Sequence, residues 1–210
     1  RICVYVGNSE KIALKIGNMN AKLSLGNNQN NNSLKISTIS NYFKSLKPKY
    51  TISNIYKDAW LFIDRDRYAD DNAEHLYRYV QKNYPERKIY FVIKKNTSEW
   101  ERLEKDNFNL IDFASKDYEE ALKSCDKVIS SHANHYVTNY LGKQMLAGRH
   151  FVFLQHGITK DDLSEWLNKK ENIDCFITAT QSEYNSIAGN FNHYNYTKKE
   201  VVLTGFPRHD

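Results

Sequence analysis

Cysteine is scarce in this chain of 210 residues: there are three, Cys3, Cys125 and Cys175. They are far apart and odd in number, and none forms a pair at metal-binding spacing. That argues against a disulfide scaffold and against a zinc module. Cys125 and Cys175 lie in or beside apolar runs, as buried free thiols of a reducing compartment do. No apolar run approaches the roughly 20 residues of a membrane span. The opening Arg1-Ile-Cys-Val-Tyr-Val is not a signal peptide, and with no starting methionine the chain reads as a piece of something longer. The net charge of +5 is mild. Lysines alternate with acids as on a solvated helix face, so nucleic acid is not an expected partner, and a weak preference for anions is allowed. Three motifs are also absent. No Gly-x-Gly-x-x-Gly follows the first strand of the main domain, no Walker loop is present, and no Gly-x-Ser-x-Gly elbow marks a serine hydrolase.

What is present divides into two parts. Residues 1–50 read as a β-rich segment and linker. Arg1-Ile-Cys-Val-Tyr-Val-Gly-Asn, Lys11-Ile-Ala-Leu-Lys-Ile-Gly-Asn and Ala21-Lys-Leu-Ser-Leu-Gly-Asn are alternating runs that each end in a turn signal. Ser33-Leu-Lys-Ile-Ser is a fourth run. Together they predict a small antiparallel meander, followed by an asparagine-rich loop over 27–32, a short helix over 40–46 and a linker at 47–49. Residues 54–210 change rhythm. Apolar runs at 59–63, 88–93, 108–113, 127–129, 151–154, 173–178 and 200–204 predict strands. Between them, 72–83, 98–105, 116–124, 161–169 and 182–188 predict helices, that over 98–105 opening on a Ser/Glu cap signal. The stretch 136–146 is ambiguous and leans helical. Near-continuous apolar strands alternating with helices predict a Rossmann-like α/β fold, a parallel sheet with helices on both faces. The hydrophobic fraction of 40% is enough for its core.

The run Phe151-Val-Phe-Leu-Gln-His-Gly-Ile-Thr-Lys160 carries the most chemistry. In an open α/β sheet ligands bind beyond the carboxyl ends of the strands, which is where His156 falls. Gly157 lets the backbone turn sharply or lets a ligand approach it. Lys160 is placed to meet an anion. A histidine, a bare backbone and a cation suit proton removal from a hydroxyl beside a phosphate. Taken alone, such a histidine can also simply cap a strand. Ser131 and His132 end the fourth strand on the same ligand side and suit the wall of an acceptor cleft. His132 and His135 lack the third ligand a metal site needs, so no metal and no cofactor are expected. Asp64-Arg65-Asp66-Arg67 after the first strand is either an anion-positioning loop, with Arg65 on the ligand, or a solvated charge run. Tyr184, Tyr194 and Tyr196 could face carbohydrate, but half-buried packing is the commoner role. The closing Thr204-Gly-Phe-Pro-Arg-His-Asp210 suits a rigid turn rather than a helix. Gly205, Pro207, Arg208 and Asp210 are expected at the cleft, with Arg208 pairing Asp210 or an acceptor phosphate.

The runs Leu154-Gln-His-Gly-Ile-Thr-Lys160 and Thr204-Gly-Phe-Pro-Arg-His-Asp210, in that order, together with the stretch Asp71-Asn-Ala-Glu74, resemble the CDP-glycerol glycerophosphotransferase family. That family builds teichoic acids and related capsule polymers. The resemblance covers about 58–210 and leaves the first 50 residues unexplained. It implies the acceptor-side half of a GT-B fold, two Rossmann-like domains facing across a cleft, with the donor-binding half absent. It implies CDP-glycerol as donor and a lipid-linked glycerol-phosphate or sugar-phosphate polymer as acceptor. It also implies a cytoplasmic protein, peripheral on the inner face of the cell membrane. His156 takes the place of the proposed general base, and Gly157 and Lys160 fall on neighbouring motif positions. Some members have Trp-His-Gly where this chain has Gln155-His156-Gly157, which suggests a capsule rather than a wall teichoic acid acceptor. Two alternatives remain at this level: a GT-B glycosyltransferase using a nucleotide sugar, and a non-catalytic glycan-binding module.

Overall fold

The computed structural model describes the backbone of residues 2–6, 11–16 and 19–24, and residues 55–142, 145–170 and 173–210. It divides into two compact units, Arg1–Lys47 and Pro48–Asp210. In the first unit, strands β1 (Ile2–Val6), β2 (Lys11–Ile16) and β3 (Met19–Ser24) form an antiparallel meander in sequence order. Ile2 pairs with Ile16 and Ile12 with Leu23. The fourth run, the asparagine loop, the short helix and the linker predicted over 27–49 lie outside the described residues.

The second unit is built on seven strands: β4 (Trp60–Ile63), β5 (Ile89–Ile93), β6 (Leu110–Asp112), β7 (Lys127–Ser130), β8 (His150–Phe153), β9 (Ile173–Thr178) and β10 (Val201–Leu203). All their pairings are parallel. Across the sheet the order is β10-β9-β8-β7-β4-β5-β6. Read from the other edge, the first six strands of this unit run 3-2-1-4-5-6, the doubly wound order of the Rossmann fold.

Both faces of the sheet are buried, and the period of two along each strand decides which side chain joins which core. Leu61, Ile63, Val92 and Val128 point into one cluster, with Tyr118, Leu122 and Ile187 from the covering helices. Phe62, Phe91, Ile93 and Ile129 point into the other, against Tyr77, Val80 and Leu103. Helices α1 (Asn72–Asn83) and α2 (Ser98–Lys105) therefore cover one face. Helices α3 (Lys116–Ser124) and α6 (Gln181–Ala188) cover the opposite one. Burying apolar strands on both faces explains why they read as unbroken apolar runs.

Several local expectations need correcting. The stretch 161–169 is one helical turn, α5 (Ser164–Leu167), because the Asp162 carboxylate accepts the Ser164 N–H at 2.8 Å and holds the chain in a local turn. Among the described residues of 136–146, helix is confined to α4 (His135–Thr138). Helix α2 is capped by Thr97, one residue before the Ser/Glu signal, through the Trp100 N–H at 3.2 Å. The closing turn contains a short 3-10 helix, Pro207–His209, begun by the proline whose fixed φ suits a first helical position. Tyr196 is buried, and Tyr184 and Tyr194 pack against the same core, so these tyrosines serve packing.

Candidate functional site

Sequential strands change direction of travel across the sheet between β4 and β7, and a doubly wound sheet opens its binding crevice at that switch point. The loops that follow β4, β7 and β8 enclose a cleft of about 740 Å³ there. Arg65, Ser131, His132, His156, Gly157 and Lys160 all line it. Arg208 and Asp210 stand outside that lining, although β10 runs parallel to β8 through β9 and delivers the closing turn to the same edge. Gly205 takes a φ of +87°, which a glycine supplies without strain.

His156 is exposed, and its ring stacks on that of His132, with centroids 4.8 Å apart and planes 23° from parallel. His132 is buried, and its Nε2 accepts the Arg65 Nε–H at 3.2 Å. The neutral ring therefore carries its proton on Nδ1. Burial, helped by His156 and by Arg65, pushes the His132 pKa down to about 4. His135 is exposed on α4 and shares no such environment.

The turn that presents His156 is made one residue earlier than expected. Gln155, not Gly157, adopts a left-handed φ of +60°. A non-glycine residue holds that conformation only when its surroundings fix it, and here they do. The Gln155 side chain donates to the Ile177 carbonyl at 2.7 Å and to Glu183 Oε1 at 3.1 Å, and accepts from the Thr159 hydroxyl at 2.8 Å. Its own carbonyl accepts the Asn72 side-chain N–H at 2.8 Å. Glu183, buried in the first turn of α6, also accepts the Thr159 N–H at 2.7 Å and the Ala179 N–H at 2.8 Å. One buried carboxylate thus ties the loop after β8 to the end of β9. Gly157 has open space where a Cβ would stand, which leaves room for a ligand and removes the turn as its purpose.

Asp64 is not part of a solvated charge run. It is 1% exposed and accepts from the backbone N–H groups of Asp71 at 3.1 Å, Ala73 at 3.0 Å and Glu74 at 3.1 Å, and from the Ser131 hydroxyl. Burial outweighs those bonds and lifts its carboxyl from the ordinary 3.8 to about 6. The contact clamps the start of α1 onto the end of β7, so Ser131 is committed to Asp64 at the floor of the cleft.

Asp71 caps α1, lies 3.7 Å from His132 Nε2 through one oxygen and takes the Arg208 guanidinium at 2.9 Å on the other. Asn72 accepts the Arg208 backbone N–H at 3.2 Å. Arg208 therefore pairs with Asp71, not with Asp210. Glu74 is buried beneath Arg102 and Arg78. Burial works against its charge, but their hydrogen bonds hold its carboxyl down at about 2. The stretch 71–74 thus acts as a latch joining three loops. Sequence reasoning missed Gln155, Glu183 and Asp64 in these roles. The pattern Thr180-x-x-Glu183 was readable as a capping box, whereas the second use of Glu183 depends on a partner 28 residues away.

Fold and cleft define a Rossmann-type domain with a histidine-bearing crevice at its topological switch point. The chain belongs to the CDP-glycerol:poly(glycerophosphate) glycerophosphotransferase family, whose sequence model matches residues 39–210. It is 44% identical over 168 residues to the minor teichoic acid biosynthesis protein GgaB of Bacillus subtilis (strain 168). That stretch is 77% of this chain, and the chain spans 18% of the length of that relative. Among the described residues no helix is long and apolar enough to cross a membrane.

Proposed function

We propose that this domain is the acceptor-side half of an enzyme that transfers glycerol phosphate from CDP-glycerol to a hydroxyl of a teichoic-acid-like polymer, with His156 as general base. Membership of the glycerophosphotransferase family supports the donor and the reaction class. The observation that carries the role of His156 is its place. It is the exposed member of a stacked histidine pair, at the carboxyl edge of the sheet and in the switch-point cleft. In the reaction the acceptor hydroxyl oxygen bonds to the β-phosphorus of CDP-glycerol as the bond from that phosphorus to the bridging oxygen breaks. His156 takes the hydroxyl proton and CMP leaves with the bond electrons. Arg65 and Lys160 line the cleft as cations suited to phosphate on the acceptor. Arg208 and Asp210 act from the adjoining turn, Arg208 by holding Asp71. The exposed apolar side chains of Ile158, Leu163 and Trp166 at the cleft support an acceptor delivered from a lipid at the inner membrane face.

Positioning and electrostatics carry most of a phosphoryl transfer, and base assistance adds about 10²–10⁴-fold. His156→Ala, in the protein that carries this chain, is therefore expected to lower kcat with CDP-glycerol by about 10²-fold or more while leaving the unfolding transition unchanged. Transfer at the wild-type rate would remove His156 from the reaction. Turnover of a nucleotide sugar in place of CDP-glycerol would replace the donor.

A further inference from the structure

Two histidines in contact pose a problem that a single base does not. Rings 4.8 Å apart cannot both carry charge cheaply, so the first proton to arrive must settle on one of them. If both rings competed for it, the proton would be shared between an exposed ring and a buried one. We propose that Arg65 assigns the working proton of this pair: by donating its Nε–H to Nε2 of His132 it fixes His132 as a neutral positioning ring and leaves His156 as the member that gains and loses a proton. This deepens the reading of His156 as the base and rests on it.

The surroundings of His132 all bear on the same outcome. From its own loop, the Ser130 hydroxyl accepts the His132 N–H at 3.0 Å, and Ser131 is committed to Asp64. From the loop after β4 come Arg65 and Asp66, which line the cleft, and Asp71. From α4 comes Tyr136, whose hydroxyl donates to the Asp64 carbonyl at 3.4 Å, with His135 exposed at the helix start. From the loop after β8 come His156, Lys160 and Asp161. A proton arriving at His132 Nε2 would have to displace the Arg65 N–H. It would then turn to Asp71, 3.7 Å away and already engaged by Arg208. His132 is 6% exposed, so its charged form would also lose most of its hydration. Burial, the neighbouring imidazole and the guanidinium all lower its basicity. His156, exposed on the cleft side of the stack, meets none of the burial. The stacked neutral ring covers one face of the His156 imidazole.

The test is a residue-resolved histidine titration by ¹³C and ¹⁵N NMR on this chain, with His132 and His156 assigned from the single variants His132→Asn and His156→Asn. In the wild-type chain His132 is expected to keep its Nδ1–H form down to about pH 4, well below the ordinary histidine range. Arg65 is exposed, so Arg65→Ala leaves the core untouched, and it should raise the proton affinity of His132 about threefold, since burial and His156 contribute more to lowering it. Arg65→Lys, which keeps a charged donor, should restore most of the separation. In turnover by the protein that carries this chain, the acid limb of kcat/KM should move to higher pH in Arg65→Ala and return in Arg65→Lys. A purely structural arginine would move neither readout. Coincident midpoints for the two rings in the wild-type chain, or an unchanged His132 midpoint in Arg65→Ala, would overturn the assignment. The titration needs no catalysis, so undiminished transfer by His156→Ala would defeat the reading of the site without altering the NMR result.

Discussion

The two edges of the seven-stranded sheet are built from different materials. At the amino edge, Trp60 opens β4 with the Arg87 guanidinium 5.3 Å and the Lys127 ammonium 5.4 Å from its ring centroid. These are surface contacts between long cationic side chains and a partly exposed ring, worth about 0.5–1 kcal/mol each. At the carboxyl edge, Asp64, Ser131, His132, Gln155 and Glu183 are all buried and hydrogen-bonded to one another's loops. Burying polar groups is costly unless each finds a partner. A fold that does so repeatedly at one edge is fixing geometry there, not gaining stability. Buried polar side chains also occur at the amino end, Ser124 and Arg149, but the carboxyl edge gathers more of them and the cleft lies on that side.

Breaking the tightest of these latches should show the contrast most strongly. Glu183→Ala strands the donors of Gln155, Thr159 and Ala179. The expected loss is about 3 kcal/mol of unfolding free energy, on the scale of a buried donor set left unsatisfied. Arg87→Ala at the opposite edge should cost about 0.5–1 kcal/mol. Urea unfolding of both variants measures the difference. Equal losses would mean that the two edges are not energetically distinct.

Two groups of the carboxyl edge make opposite contributions to stability against pH. Asp64 binds its proton more tightly folded than unfolded, so between 3.8 and about 6 its contribution falls as pH rises. His132 binds its proton more weakly folded than unfolded, so between about 4 and 6.5 its contribution grows as pH rises. In the wild-type chain these slopes oppose each other. Asp64→Asn should leave stability rising more steeply from pH 4 to 6.5 than in the wild type. His132→Asn should leave it rising less, or falling. Glu74, with its carboxyl held at about 2, acts in a lower window, where stability drains as pH falls below 4.5. Urea midpoints taken across pH 4–6.5 read the slopes directly, and identical slopes in all three proteins would remove both groups as sources of the pH dependence.

The difference between the edges also explains what the sequence disclosed. Strands and most helices were legible because a two-faced core demands an apolar run and a covering helix demands a periodic stripe. Helices α1, α2 and α3 fall on the residues expected of them. His156, His132, Arg65 and Lys160 were legible as site candidates because each follows the end of a parallel strand. Strand order was not legible, and with it the switch point that gathers those four residues into one cleft. Nor were the latches. Asp64 looked like one more charge beside Arg65, because nothing local tells that three backbone N–H groups and Ser131 will surround it. The helix expected over 161–169 failed for a related reason: a single aspartate, Asp162, captured the Ser164 N–H and stopped the pattern.

The smallest effect on stability is expected at Gly157, and it sharpens the comparison because this residue lies at the carboxyl edge without joining its latches. A Cβ built there meets nothing within 4 Å, and the backbone is not left-handed, so no strain opposes a side chain. The turn is already fixed by Gln155 at +60°, with both ends of its side chain engaged. Gly157→Ala should therefore change unfolding free energy by no more than about 0.5 kcal/mol, as surface substitutions do. Its added methyl group nevertheless stands in the cleft beside His156. If the acceptor approaches along this backbone, Gly157→Ala raises its KM while stability holds, and Gly157→Val raises it further. Unchanged KM in both variants would show that the bare backbone beside His156 is not an approach surface. A large loss of stability in the alanine variant would show that Gly157, and not Gln155, is what makes the turn.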